Sequence, residues 1–286
     1  MIIQVYDVQG NTSVDVTIDG ISEAEYADII SLYDELLRNE KKSVAVANTY
    51  TYALKKCPEA NPADLWWHII YRYYLSGSTD QSWKRTSGFA LEIAFVKFYN
   101  PLLEPYGIRM ECITGNRAHQ VMEKMGISDK VGRSKLDVVI EGRSGRNRLP
   151  DNFKPFGGLH IKSSLAERIQ DDVPASIAMM AAGYWSGFFT LDAKAFPPPH
   201  GDAVVRGELG LRTDPDGALK RNYFERDGQF NNCYSYNLRT IPSGGDTPSG
   251  KRIYKVSFSD PKPDQFMRDV IDRWNLVKDG IDGIGG

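Results

Sequence analysis

Through the first third of the chain the apolar residues recur at helical spacing, and beyond Gly107 they shift to the spacing of strands. Val14, Val16 and Ile18 alternate between turn signals at Gln9-Gly10-Asn11 and Asp19-Gly20, which predicts a hairpin. Ser22 caps a segment reaching about Arg38, with Tyr26, Ile29, Ile30, Tyr33 and Leu37 on one helical stripe. A second helix is expected from Ser43 to Lys56. A third opens at Pro62 and is rich in aromatics from Trp66 to Tyr74, and a fourth follows Ser87-Gly88 and ends before Asn100-Pro101. Strands are expected over 108–113, 135–141 and 159–163, with a polar loop over 143–158. A helix over 173–186, a turn-rich stretch from Ala195 to Gly250, a strand over 253–258, a helix over 265–277 and a frayed glycine-rich tail complete the pattern. There is no internal repeat and no obvious linker. The sum is an α/β (α+β) protein, expected to be one domain over 1–286. Its first 80 residues form a mainly helical subregion, and 81–286 carry the core.

Two of these strands break the rule that made them legible. Leu136-Asp-Val-Val-Ile140 and Leu159-His-Ile-Lys-Ser163 each carry an ionic residue that a buried strand should avoid. Side chains alternate, so Asp137 shares a face with Val139 and Lys162 shares one with His160. Burying a carboxylate and an ammonium costs several kcal/mol unless they pair or bind an ion. Phosphodiester hydrolysis has a use for both: the carboxylate holds a divalent metal, and the lysine helps polarise the attacking water.

Two further acids are candidates. Glu92 lies three residues after Phe89 and four before Val96, which turns it towards an apolar helical stripe. The alternative is a partly exposed glutamate at the edge of that stripe. Asp171 and Asp172 precede Pro174, a pattern that suits helix capping; equally, Asp172 could fold back over the strand end towards Asp137. Oxygen ligands of this kind suit Mg²⁺. Together these residues resemble the parts list of Mg²⁺-dependent nucleases with a strand-borne Asp and a following (Glu/Asp)-x-Lys; that pattern has an acid where this chain has His160, so either His160 is a weak substitute or Asp172, with Glu92 supporting, supplies the carboxylate.

Composition narrows the field without naming a function. A net charge of −2, with 41% hydrophobic and 25% charged residues, describes an ordinary globular protein and not a coat for nucleic acid. Basic residues nevertheless cluster at Lys84-Arg85, from Lys130 to Lys135, from Arg143 to Arg148 and at Lys220-Arg221, and each cluster also suits a solvated face. Three scattered cysteines without a CxxC argue against zinc or a disulfide framework and fit a reducing cytoplasm. No segment reads as a membrane span or a secretory leader. His68, His119 and His200 show no metal-site spacing, and no glycine-rich phosphate loop or nucleophile motif points to a small-molecule enzyme.

Longer strings carry a family likeness. They are Cys57-Pro-Glu-Ala-Asn-Pro-Ala-Asp-Leu-Trp66, Ser82-Trp-Lys-Arg-Thr-Ser-Gly88, Ser164-Leu-Ala-Glu-Arg168, Asp171-Asp-Val-Pro-Ala-Ser176, Phe196-Pro-Pro-Pro-His-Gly-Asp202 and Ser235-Tyr-Asn-Leu-Arg-Thr240. In this order the chain resembles type II restriction endonucleases of the PD-(D/E)XK superfamily, in the group that recognises sites with a central CCGG. The resemblance implies a central mixed sheet flanked by helices and an active site of Glu92, Asp137, Lys162 and Asp172. It further implies Mg²⁺, with Asp137, Asp172 and Glu92 as the metal set, and double-strand cleavage of a palindrome, ACCGGT, leaving 5′ overhangs.

Relatives in that group carry Arg-(Asp/Glu)-Arg after the lysine, where this chain has Ala166-Glu167-Arg168. Glu167 and Arg168 are therefore expected to read bases. Arg85 or Lys194 could replace the arginine missing at Ala166, or contact phosphate instead. A homodimer on DNA, a cognate methyltransferase and a prokaryotic cytoplasm are expected as well. Two other readings stay in view. One is a repair or mobile-element nuclease with relaxed specificity, and the other is a catalytically inactive DNA-binding protein on the same scaffold.

Overall fold

The computed structural model describes residues 1–6, 13–131, 136–143, 152–165, 169–193, 207–213 and 215–281. The chain opens with the expected hairpin, β1 (Ile2–Tyr6) antiparallel to β2 (Ser13–Thr17). Helices follow: α1 (Glu23–Asn39), closed at its start by a Ser22/Glu25 capping box, α2 (Lys42–Lys56), and α3 (Pro62–Asp64). A π-helical turn over Leu65–Ile70 leads into α4 (Tyr71–Ser76). The aromatic block from Trp66 to Tyr74 is core: Trp66, Trp67, Tyr71 and Tyr74 are buried around Trp83.

Helix α5 (Asp80–Leu103) is longer than its sequence suggests at both ends. Thr79 caps it, accepting the Ser82 N–H, and it passes through Gly88, where no neighbour demands a glycine. Glycine in a helix costs about 1 kcal/mol. Burial of Leu91, Ala94, Phe95, Phe98 and Tyr99 outweighs that. Asn100 does not end the helix. Its side chain instead pairs with both backbone groups of Met110.

A six-stranded sheet then forms, in the order β3 (Ile108–Cys112), β4 (Val138–Arg143), β5 (Phe153–Lys162), β6 (Trp185–Thr190), β7 (Asn232–Ser235) and β8 (Arg252–Lys255). The first three pair antiparallel and the rest parallel, which is the expected mixed sheet. Helix α6 (Gly115–Lys124) precedes β4, and α7 (Ile169–Ala181) and α8 (Pro215–Glu225) cross over between parallel strands. Helix α9 (Gln265–Ile281) closes the chain, its Trp274 lying where a Cβ on Gly142 would be.

Three expectations need correction. Residues 153–158 are strand, not loop: Gly157 and Gly158 are glycines because Trp185 and Leu136 crowd them, at 2.8 and 2.5 Å from a would-be Cβ. The helix expected over 173–186 starts earlier, at Ile169, and gives way to β6, whose six residues are all buried. The turn-rich stretch 195–250 contains α8 and β7.

The sheet is buried on both faces. Val138, Ile140, Leu159, Ile161, Phe189 and Tyr234 join a core with α1, α2, α5 and α9. Val139 packs with α6 and α7. Phe188, Cys233 and Ile253 pack with residues of α7 and α8 on that second face. Among the described residues no helix is long and apolar enough to cross a membrane.

Candidate active site

The β4–β5 ladder pairs Val138 with Leu159 and then stops. One step beyond, the Asp137 side chain takes over from the backbone. Its Oδ2 accepts the Ile161 N–H at 2.8 Å and the Lys162 Nζ at 2.7 Å. Lys162 ends β5 on the same face as His160, the face covered by α7. Asp172, in the first turn of α7, meets it there: Asp172 Oδ2 stands 3.1 Å from Lys162 Nζ, and its Oδ1 3.9 Å from His160 Nδ1. A strand start, a strand end and a helix start thus bring two carboxylates to one ammonium. His160 is fully buried, edge-on to Phe230.

Glu92 reaches this cluster from α5, on the other face of the sheet. Burial, with the Asp137 carboxylate behind it, pushes the Glu92 carboxyl up to about 8, only partly offset by Lys162. Burial also raises the Asp172 carboxyl, against the pull of His160 and Lys162. Burial by itself would lower the Lys162 ammonium, but Asp137 and Asp172 outweigh it and hold it above its ordinary range. Lys162 therefore stays charged near neutral pH. It is a donor and an electrostatic partner, not a base.

Of the expected DNA-reading residues, Arg85 lies exposed on α5, seven positions before Glu92 and so nearly on its face of the helix. Glu167, Arg168 and Lys194 lie outside the described residues. Sequence patterns do not announce a second polar cluster, centred on Asp192 and Glu208 at the carboxyl ends of β5 to β7. The one signal available is a lone acid directly after the apolar run of β6.

A mixed sheet that gathers a strand-borne aspartate, a strand-end lysine and a helix-borne aspartate at one edge is the architecture of a type II restriction endonuclease, a site-specific deoxyribonuclease. The chain belongs to the BsaWI type 2 restriction endonuclease family, whose model matches residues 117–262. It is 46% identical over 252 residues to the type II restriction enzyme AgeI of Thalassovita gelatinovora, covering 85% of this chain and 90% of that protein. A solved structure of the specific AgeI–DNA complex superposes with a TM-score of 0.86 at 43% identity, covering 96% of this chain and 99% of that one.

Enzymes of this class generally use a divalent metal. The residues fit one. Asp172 Oδ2 is buried without a well-directed hydrogen bond, and the donors are hard carboxylate oxygens. Among the described residues no three His, Cys, Asp or Glu side chains make a group that could hold a metal ion by themselves. A hard divalent cation can bind through one or two carboxylates, with water and phosphate oxygens in its remaining positions.

Proposed function

We propose that this enzyme cleaves both strands of DNA at a palindrome with central CCGG, ACCGGT, in a Mg²⁺-dependent reaction that leaves 5′ overhangs. The observation that carries the reading is the convergence of Asp137 and Asp172 on Lys162 at 2.7 and 3.1 Å. Asp137 and Asp172 would hold the Mg²⁺, with Glu92 completing or steadying the set. When bound, the cation supplies a Lewis acid for the scissile phosphate and acidifies a water. Lys162 keeps its proton, orients the attacking water through an N–H, and offsets charge as it builds on the phosphate. The Ile161 N–H holds one Asp137 oxygen in place, so the carboxylate presents a fixed edge.

Glu167 would accept from cytosine N4 and Arg168 would donate to guanine O6 and N7. Arg85 and Lys194 stand in for the arginine that Ala166 replaces, or grip phosphates. A palindrome cut in both strands calls for two active sites about a two-fold axis, hence a homodimer on DNA, and the host needs a methyltransferase to protect the same sites. Digestion of a sequenced plasmid with Mg²⁺, followed by end mapping, tests the reading. It predicts discrete fragments with ends at ACCGGT. A smear, or discrete ends at an unrelated sequence, sinks it, and EDTA or Lys162→Ala should abolish cutting.

A further inference from the structure

Beyond the catalytic cluster, a second set of buried polar groups ties the carboxyl ends of the parallel strands together. Asp192, two residues past β6, is fully buried and holds φ at 41°, the left-handed region that few non-glycine residues occupy. Its carboxylate accepts the N–H groups of Glu208 at 2.7 Å and Leu209 at 2.9 Å, and the Thr240 hydroxyl at 2.5 Å. Its carbonyl accepts from Asn237 Nδ2 at 2.9 Å. Gly207 passes so close that any Cβ there would collide with the Asp192 carboxylate.

Held by its backbone in this way, Glu208 turns its side chain towards the chain leaving β5. One carboxylate oxygen accepts the Leu165 N–H at 2.7 Å and lies 3.3 Å from the Ser164 hydroxyl. The other takes Lys220 Nζ of α8 at 2.8 Å. Leu165 is completely buried and three residues beyond Lys162, so without Glu208 its N–H would lose this charged acceptor.

We infer that Glu208 is a positioning residue for Lys162 and for the base readers that follow it in sequence, Glu167 and Arg168: it fixes the backbone at Ser164 and Leu165, where the chain leaves the catalytic strand. The inference rests on the roles proposed above for those three residues. Asp192 and Gly207 act one step further back, by placing Glu208. Base recognition and phosphate chemistry are thereby joined through one short, charged hydrogen bond.

Two variants of the full-length protein test this. Glu208→Ala removes the acceptor, whereas Glu208→Gln keeps an amide oxygen for the Leu165 N–H and loses only the charge. Hydrogen–deuterium exchange of the peptide covering 159–169 reads the clamp directly. At Leu165, exchange should quicken by about 10-fold or more in the Ala variant and by roughly threefold or less in the Gln variant. Single-turnover cleavage reads its consequence, using duplexes that carry ACCGGT or the same site with one central base changed. In Glu208→Ala the ratio of cognate to altered-site rates should fall about 10-fold, while affinity for random duplex changes less than about twofold. Glu208→Gln should recover most of the ratio.

A residue with only a bulk structural role would lower both rates equally, in step with a lower melting temperature, and that result overturns the inference. So does unchanged exchange at Leu165. Should Glu208→Ala fail to fold, Gly207→Ala, which pushes Asp192 aside, must reproduce the loss of discrimination. If the wild-type enzyme proves not to cut at ACCGGT, the functional reading fails, and the exchange experiment still decides the clamp.

Discussion

Glu92→Gln should make the metal-free protein more stable, and increasingly so as the pH rises. The folded protein holds the Glu92 proton up to about 8, whereas a free carboxyl releases it near 4.5. Between those values the folded state binds a proton that the unfolded chain has lost. Stability therefore falls as pH climbs through that window and levels off above it. Each pH unit removes about 1.4 kcal/mol at full effect. From about pH 5 to pH 7 that approaches ~3 kcal/mol, and relaxation around a half-buried group brings our figure to ~2 kcal/mol. Glutamine is a neutral near-isostere and feels none of it.

For a chain of this length, ~2 kcal/mol corresponds to a Tm difference of ~4 °C. Urea unfolding in EDTA at several values between about pH 5 and pH 8 measures the effect. The wild-type midpoint should drop across the series while the variant's stays comparatively flat. Mg²⁺ added near pH 8 should restore more stability to the wild type, because the cation favours the ionised carboxylate. Two midpoint curves that run parallel from acid to base would refute the argument, as would a variant less stable at the alkaline end.

Other outcomes follow from the same geometry. Lys162→Ala should cut single-turnover cleavage by ~10³-fold or more while retaining specific DNA binding in a gel-shift assay, since it removes the donor proposed to orient the attacking water. Gly158→Ala places a Cβ 2.5 Å from Leu136 Cδ1 and 3.0 Å from the Val138 carbonyl, and should cost about 2 kcal/mol in chemical denaturation. Arg239→Ala strips the buried Asp64 of its two 2.7 Å hydrogen bonds and should cost about 3 kcal/mol, with Asp64→Asn in the same background recovering part of it. Arg85→Ala should weaken DNA binding; a loss that is equal for all sequences identifies a phosphate contact, and relaxed discrimination a base contact.

The cluster of Asp137, Lys162, Asp172 and Glu92 was legible because it violates local rules. An aspartate and a lysine in otherwise apolar strands announce themselves, and a glutamate turned towards an apolar stripe does so more faintly. The elements that failed to announce themselves obey two signals at once. Trp185-Ser-Gly-Phe-Phe-Thr190 is buried on both faces, so it has no alternation, and Gly187 reads as a break. Gly157 and Gly158 look like loop residues, yet they are small because Trp185 and Leu136 fill the space beside them. Helix α8 hides in a polar stretch because its stability comes from packing Phe224 against Phe230 and against Phe188, a partner on β6 far away in sequence. The tie between Asp192 and Glu208 joins residues sixteen apart, and no spacing rule points to it.

Because α5 is unbroken from residue 80 to 103, Arg85 and Glu92 behave as two marks on a rigid ruler. Seven residues separate them by about 10 Å along the axis and leave them about 20° out of phase. One inserted residue between them would swing the arginine by roughly 100° while moving it only ~1.5 Å further away. Under the roles proposed for Arg85 and Glu92, the length of this segment is set by the distance between the DNA contact and the metal.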